Sequence, residues 1–203
     1  MPVQHQENTN EVTNIVLIGV GGQGTILVSR IITYALTEAG YDVKMSEIHG
    51  MAQRGGSVST QIRYGKKVYS PIIGQAEADI LIAFEKMEAL RGSSYLKPGN
   101  TIIVNDYEIM PLPVAVGKVD YPDKILEELA SHYKTIVINA GEAAKKLGNS
   151  RVMNVVLLGA MVEACKLNNL DWQAALRENI PTRYLDVNQM AFEHGRQLVL
   201  SAY

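Results

Sequence analysis

The sequence predicts an α/β domain: a three-layer, Rossmann-like arrangement with a mostly parallel sheet, one antiparallel hairpin and a helical C-terminal part. Three observations predict it. Short β-branched apolar runs ("NIVLIGV", "ADILIAF", "KTIVINA") recur between stretches with helical spacing of apolar residues. The first run ends in a glycine-rich turn, "GVGGQG", that leads into a helix pattern. The last third, from Gly141 onward, reads as helix alone.

Taken in order, residues 1–12 are polar and read as a disordered tail, and 13–203 as one domain. "NIVLIGV" is a buried parallel strand. "TILVSRIITYALTEAG" carries apolar residues at helical spacing and stops at Gly40; its helix is expected to begin around Gly22–Gly24. "DVKMSEI" reads as the second strand of a βαβ opening. "SVSTQIRYGKKVYSP" reads as a hairpin over Ser57–Ser70, two strands about a turn at Gly65–Lys66. Val58, Thr60 and Ile62 would share one face, and Ser57, Ser59, Gln61 and Arg63 the other. "ADILIAF" is another buried strand, with a helix through "EKMEALRG" after it. "LKPGNTIIVND" gives a turn and a strand, "PDKILEELASHY" an amphipathic helix, and "KTIVINA" the last strand. "SRVMNVVLLGAMVEACKLNN" is apolar around its circumference, as a helix buried on more than one face would be. Asp171 and Thr182 are candidate caps for the two helices that follow.

Composition narrows the function classes. With 203 residues, 47% of them hydrophobic, the chain can bury a sizeable core. A net charge of −2 gives no global basic excess for nucleic acid or an anionic membrane. The polar N-terminus lacks a signal-peptide layout, and the apolar runs are too short to span a bilayer, so a cytoplasmic protein is expected. One cysteine, Cys165, sits in an apolar helical stretch and reads as a buried structural thiol. A single thiolate cannot hold a typical iron–sulfur cluster, and the four histidines show no zinc spacing.

Two loops carry the candidate chemistry. Gly19, Gly21 and Gly24 match G-x-G-x-x-G between a strand and a helix, where free helix N–H groups favour a phosphate or carboxylate. Glu47, 23 residues past Gly24, stands where a ribose-binding acid could lie. The glycines could equally serve close helix–strand packing, or another anion. A Walker A loop is disfavoured because Thr25 follows Gly24 where that motif needs Lys. The second loop, "HGMAQRGGS", joins three glycines to Arg54, whose guanidinium suits phosphate or carboxylate, and Gln53, which can donate and accept. His49 is a candidate acid–base group or an ordinary hydrogen-bonded loop residue. Arg63, Lys66 and Lys67 form a basic hairpin tip, either solvated or facing an acidic partner.

"GVGGQG" and, after the second strand, "SEIHGMAQRGGSVSTQIRYG" together resemble the gamma-type domain of 2-oxoacid:ferredoxin oxidoreductases. Within that family "HGMAQRGGSV" is most similar to the branch acting on indolepyruvate. The resemblance runs from about Asn14 onward. It implies a subunit of a heteromeric enzyme that oxidatively decarboxylates arylpyruvates, with coenzyme A as cosubstrate and ferredoxin as electron acceptor. Thiamine diphosphate and iron–sulfur clusters would belong to a larger alpha subunit, and none to this chain alone. The same resemblance removes the nicotinamide role of Glu47. It points to Gly21, Gly22, Gln23, Gly24 and Thr25 with His49, Gln53, Arg54, Gly55, Gly56 and Ser57 as the residues that bind substrate or coenzyme A, and assigns no catalytic residue and no metal. Other readings are a gamma subunit for pyruvate, 2-oxoisovalerate or 2-oxoglutarate, a stand-alone nucleotide-binding oxidoreductase, and a regulatory binding module.

Overall fold

In the computed structural model, which describes residues 12–49 and 55–202, one six-stranded sheet organises the chain. Its strands are β1 (Thr13–Val20), β2 (Asp42–His49), β3 (Ser57–Gly65), β4 (Ala78–Ala83), β5 (Leu96–Asn105) and β6 (Lys134–Ile138). The spatial order is β2-β3-β1-β4-β5-β6. β1, β4, β5 and β6 pair in parallel, while β3 runs antiparallel to both β1 and β2. β2 therefore points the same way as β1 but does not touch it.

This corrects the expected hairpin. β3 ends at Gly65, and residues 66–77 run as irregular chain with no strand. The reason is that β3 already has a neighbour on each side, so no edge is left for a strand at Lys66–Ser70. The antiparallel partner lies upstream, in β2, with His49 opposite Val58. Side chains hold the 66–77 segment instead. Val68 N–H donates to Asp42 Oδ2 (3.0 Å), Ile73 N–H donates to Gln61 Oε1 (2.8 Å), and Arg63 Nη1 donates to the carbonyls of Ser70 and Ile72 (3.2 and 3.0 Å). The expected basic tip is dispersed accordingly: Arg63 is spent on this brace and on Asn14 Oδ1 (2.8 Å), and Lys67 lies 3.4 Å from Asp42.

Helices cover both sheet faces, as a parallel sheet requires. On one face Ile15, Leu17, Ile80, Ile82, Ile103 and Ile136 pack with α1 (Thr25–Glu38), α5 (Ala140–Lys146), α6 (Met153–Ala164), α7 (Trp172–Asn179) and α8 (Thr182–Ala202). On the other, Val16, Ile18, Leu81, Ile102 and Val104 pack with α2 (Lys86–Gly92) and α4 (Ile125–His132). A short helix, α3 (Leu112–Ala115), lies in the connection between β5 and α4.

α6 is buried all round, from Asn154 to Val162. It crosses α8 so closely that a methyl on Gly159 would lie 2.0 Å from the Phe192 carbonyl oxygen, and one on Gly195 2.0 Å from that of Val156. Asp171 caps α7 as expected, its Oδ1 accepting from Ala174 N–H at 2.8 Å. Thr182 is instead the first residue of α8, one position inside the cap. Cys165 is half-buried at the end of α6, less enclosed than expected, and burial pushes its thiol up to about 12. No helix among the described residues is long and apolar enough to cross a membrane.

Candidate functional site

The carboxyl ends of parallel strands leave backbone groups without ladder partners, and ligands of open α/β sheets bind there. In this chain β1, β4 and β5 end together under the first residues of α1. The helix starts at Thr25, just past the expected Gly22–Gly24, because Gly24 holds the cap position with φ 83°. Among the described residues no side chain caps it. A methyl on Gly24 would lie 2.3 Å from Asn154 Nδ2, which donates to the Gly24 carbonyl (3.2 Å). The turn is thus fixed from below by α6.

Gln23 points inward. Its Oε1 accepts from Val20 N–H (2.7 Å) and its Nε2 donates to the Phe84 carbonyl (2.9 Å). Asn105 Nδ2 donates to the same carbonyl (3.1 Å), and Asn105 Oδ1 accepts from Ala140 N–H (3.1 Å). Two amides thereby tie the ends of β1, β4, β5 and the start of α5. The resemblance implies Gln23 as a ligand contact; in the structure both ends of its amide are hydrogen-bonded within the chain. Thr25 is buried as well. Gly22, exposed at φ 104° with open space beside its Cα, remains on the outer side of the turn.

The two sequence loops meet. Gly21 N–H donates to the Gly56 carbonyl (2.9 Å), and Gly55 N–H lies 3.5 Å from the Gly21 carbonyl. Ser57 Oγ donates to Glu88 Oε2 at 2.5 Å. His49 closes β2, and its side chain, like Gln53 and Arg54 entirely, lies outside the described residues. Glu47 sits on the edge strand. With β3 interposed, that is two ladder spacings, about 9–10 Å, from β1. A dinucleotide-binding acid occupies the strand beside β1, so the wedge of β3 removes the geometry for that role.

Sequence reasoning misses a second layer of polar groups. Glu85, almost fully buried, accepts from Glu88 N–H (2.9 Å) through Oε2, and from Ile109 N–H (3.1 Å) and Tyr121 Oη (2.5 Å) through Oε1. Burial, then the Glu85 carboxyl, pushes the Tyr121 phenol upward. Burial also raises Glu88, against the opposing pull of the Ser57 hydroxyl and the Arg91 guanidinium. The available signal is a polar residue placed directly after a buried strand, as in "ILIAFE" and "IIVN", or inside an apolar helix, as Asn154 is.

Beside the start of α1 opens a cleft of about 300 Å³ lined by Leu27, Asn149, Arg151, Asn154, Tyr184 and Asn188. It offers one guanidinium, several amides and an aromatic ring. Among the described residues no three His, Cys, Asp or Glu side chains converge as metal ligands.

Known proteins share this plan. An indolepyruvate oxidoreductase subunit IorB from Methanothermobacter thermautotrophicus is 41% identical over 187 residues, 90% of this chain and 95% of the relative. The subunit of that name from Thermococcus kodakarensis is 38% identical over 189 residues, 90% and 93% of the two chains. Among solved structures, the keto/oxoacid ferredoxin oxidoreductase gamma subunit of Geobacter sulfurreducens superposes with a TM-score of 0.69 at 24% identity, covering 94% of this chain and 99% of that one. The 2-oxoglutarate:ferredoxin oxidoreductase of Magnetococcus marinus, solved with 2-oxoglutarate, coenzyme A and succinyl-CoA bound, gives 0.74 at 23% identity. There 96% of this chain matches 32% of a longer one. These two likenesses establish a common fold. The family model for pyruvate ferredoxin/flavodoxin oxidoreductases matches residues 14–198, and the chain belongs to that family.

Proposed function

We propose that this chain is the smaller subunit of an indolepyruvate:ferredoxin oxidoreductase. The reaction joins the 2-oxoacid and coenzyme A, releases carbon dioxide, forms the aryl-acetyl thioester and passes the electrons to ferredoxin. The observation that carries the reading is similarity at 36–41% identity, along about nine-tenths of the chain, to four subunits of that name. Thiamine diphosphate and iron–sulfur clusters then reside on a larger alpha subunit. The more distant 2-oxoglutarate synthase subunit KorC, 28% identical over 193 residues, favours a different 2-oxoacid as the second reading.

In this reading the role of the chain is to shape the coenzyme A or substrate site at the glycine turn. What supports it is the meeting of Gly21 with Gly55 and Gly56 at the start of α1, which no side chain caps among the described residues and whose N–H groups favour an anion. The neighbouring cleft adds Arg151 for a phosphate and Tyr184 for a flat ring. The resemblance adds Arg54 of the second loop, which lies outside the described residues.

The test is co-expression with the larger subunit, purification of the complex, and turnover of indolepyruvate with coenzyme A and an electron acceptor. The isolated chain should be inactive. A complex that prefers pyruvate or 2-oxoglutarate to indolepyruvate would refute the substrate assignment, and micromolar NADH binding by the isolated chain would refute the family role. Arg54→Ala should cost about 1.5–3 kcal/mol, a charge-assisted hydrogen bond, or about tenfold to a hundredfold in kcat or KM on the intact complex.

A further inference from the structure

Glu88 is a buried carboxyl, 4% exposed, in the first turn of a seven-residue helix. The cap of α2 is supplied by Glu85, so Glu88 is not needed for that role. Its surroundings are settled. Oε2 accepts from Ser57 Oγ (2.5 Å), Oε1 lies 3.7 Å from Arg91 Nε, and its own N–H donates to Glu85. Ser57 is the first residue of β3, directly after Gly55 and Gly56, the two residues that meet Gly21. Burying a carboxyl costs free energy unless its partners are fixed. Here the cost is borne at the one point where the second loop rejoins the sheet.

We infer that Glu88 is a positioning residue: through Ser57 it sets where Gly55 and Gly56 lie against Gly21, and so sets the outer wall of the glycine turn. The inference rests on the reading of that turn as part of the coenzyme A or substrate site. Glu85 extends the device. It fixes the start of α2 by receiving Glu88 N–H, and its other oxygen is held by Ile109 N–H and Tyr121 Oη from the β5–α4 connection. Glu88 therefore cannot follow Ser57 if Ser57 moves; the strand must come to the helix.

The experiment uses the purified complex with Glu88→Ala, Glu88→Gln, Ser57→Ala and the double variant Ser57→Ala/Glu88→Ala. Glu88→Ala should raise KM for coenzyme A by about tenfold, the loss of one hydrogen bond to a charged group. The rise in KM should exceed the loss in kcat. Glu88→Gln retains an acceptor oxygen and should recover most of the loss. Ser57→Ala should act in the same direction, and the double variant should be no worse than the more severe single one, because both remove the same contact. Ser57 is exposed, so its variant keeps the test available should Glu88→Ala fail to fold.

A second readout is independent of turnover. Amide hydrogen exchange in peptides covering residues 20–24 and 55–58 should quicken in Glu88→Ala and Ser57→Ala. Unchanged exchange, or additive effects of the two substitutions, overturns the inference. Faster exchange with unaltered Michaelis constants upholds the positioning and overturns the coenzyme A or substrate reading of the turn.

Discussion

Glycine is used in two opposite ways in this molecule. Where α6 crosses α8, Gly159 and Gly195 let two backbones touch, and a methyl on either would fall 2.0 Å from a carbonyl oxygen. Where β1 turns into α1, a methyl added to Gly22 would meet none of the described residues within 4 Å, and the same holds for Gly55, which lies beside Gly21. The first pair removes space and the second keeps space open. A crossing of that kind is a packing device, while the open turn keeps backbone N–H groups approachable. The same residue type therefore reports stability at one place and access at the other.

The comparison breaks most readily at the crossing. Gly195→Ala or Gly159→Ala should destabilise by about 3 kcal/mol or more, since neither helix can retreat from a close-packed interior. That corresponds to a fall in Tm of about 6–12 °C for a chain of this size. Thermal unfolding of the purified chain measures it, and the fraction that still assembles should keep wild-type Michaelis constants. A Tm within a degree or two of wild type would show that the crossing has slack.

Gly24→Ala tests the boundary between the two uses, because Gly24 has both a positive φ and a neighbour, Asn154, at 2.3 Å from the added methyl. Its cost in stability should be smaller, about 1–3 kcal/mol of backbone strain. Its effect on KM for coenzyme A should be out of proportion to that cost, because displacing Asn154 disturbs the turn itself. A loss in stability with none in KM would place Gly24 with the packing glycines.

The smallest effect is one of pH, and it separates the polar ends of the strands from the apolar crossing. Burial raises Glu88 above its ordinary 4.5 in the folded chain. The folded state therefore holds that proton more tightly than the unfolded chain does. Its contribution to stability is fully present below about pH 4.5 and is lost as pH rises through the raised folded value. Glu88→Gln, which cannot ionise, should gain in Tm relative to wild type as pH climbs from about 4 through that range. Tm measured against pH for both proteins checks the sign, and a difference that shrinks with rising pH would contradict it.

Much of this architecture is legible in the residues. β-branched runs such as "NIVLIGV" and "ADILIAF" can only be strands buried on both faces, and the apolar circumference of residues 153–164 can only be an enclosed helix. The hairpin is misplaced by sequence for a physical reason. "KKVY" has strand propensity, but propensity is local and strand pairing is not. Once β3 lies between β1 and β2, no edge remains for those residues to pair with. The meeting of the two glycine loops follows from the β1–β3 ladder, in which Val20 lies opposite Ser57. The inward turn of Gln23 cannot be anticipated. A glutamine in a glycine loop looks the same in sequence whether it faces solvent or the Phe84 carbonyl. Glu85, Glu88 and Asn105 are hidden likewise, because their partners come from residues far along the chain.

The reversed strand also bears on the order in which the chain can assemble. β2 and β3 are joined by a short connection and can zip locally, and β4, β5 and β6 form a second unit with their own crossovers. β1 must find β3 on one side and β4 on the other, each across a longer stretch of chain, whose closure costs somewhat more entropy. It is the strand that joins the two groups, seated between β3 and β4. Since β1 carries the glycine turn, the geometry of that turn depends on both of its pairings, with β3 on one side and β4 on the other.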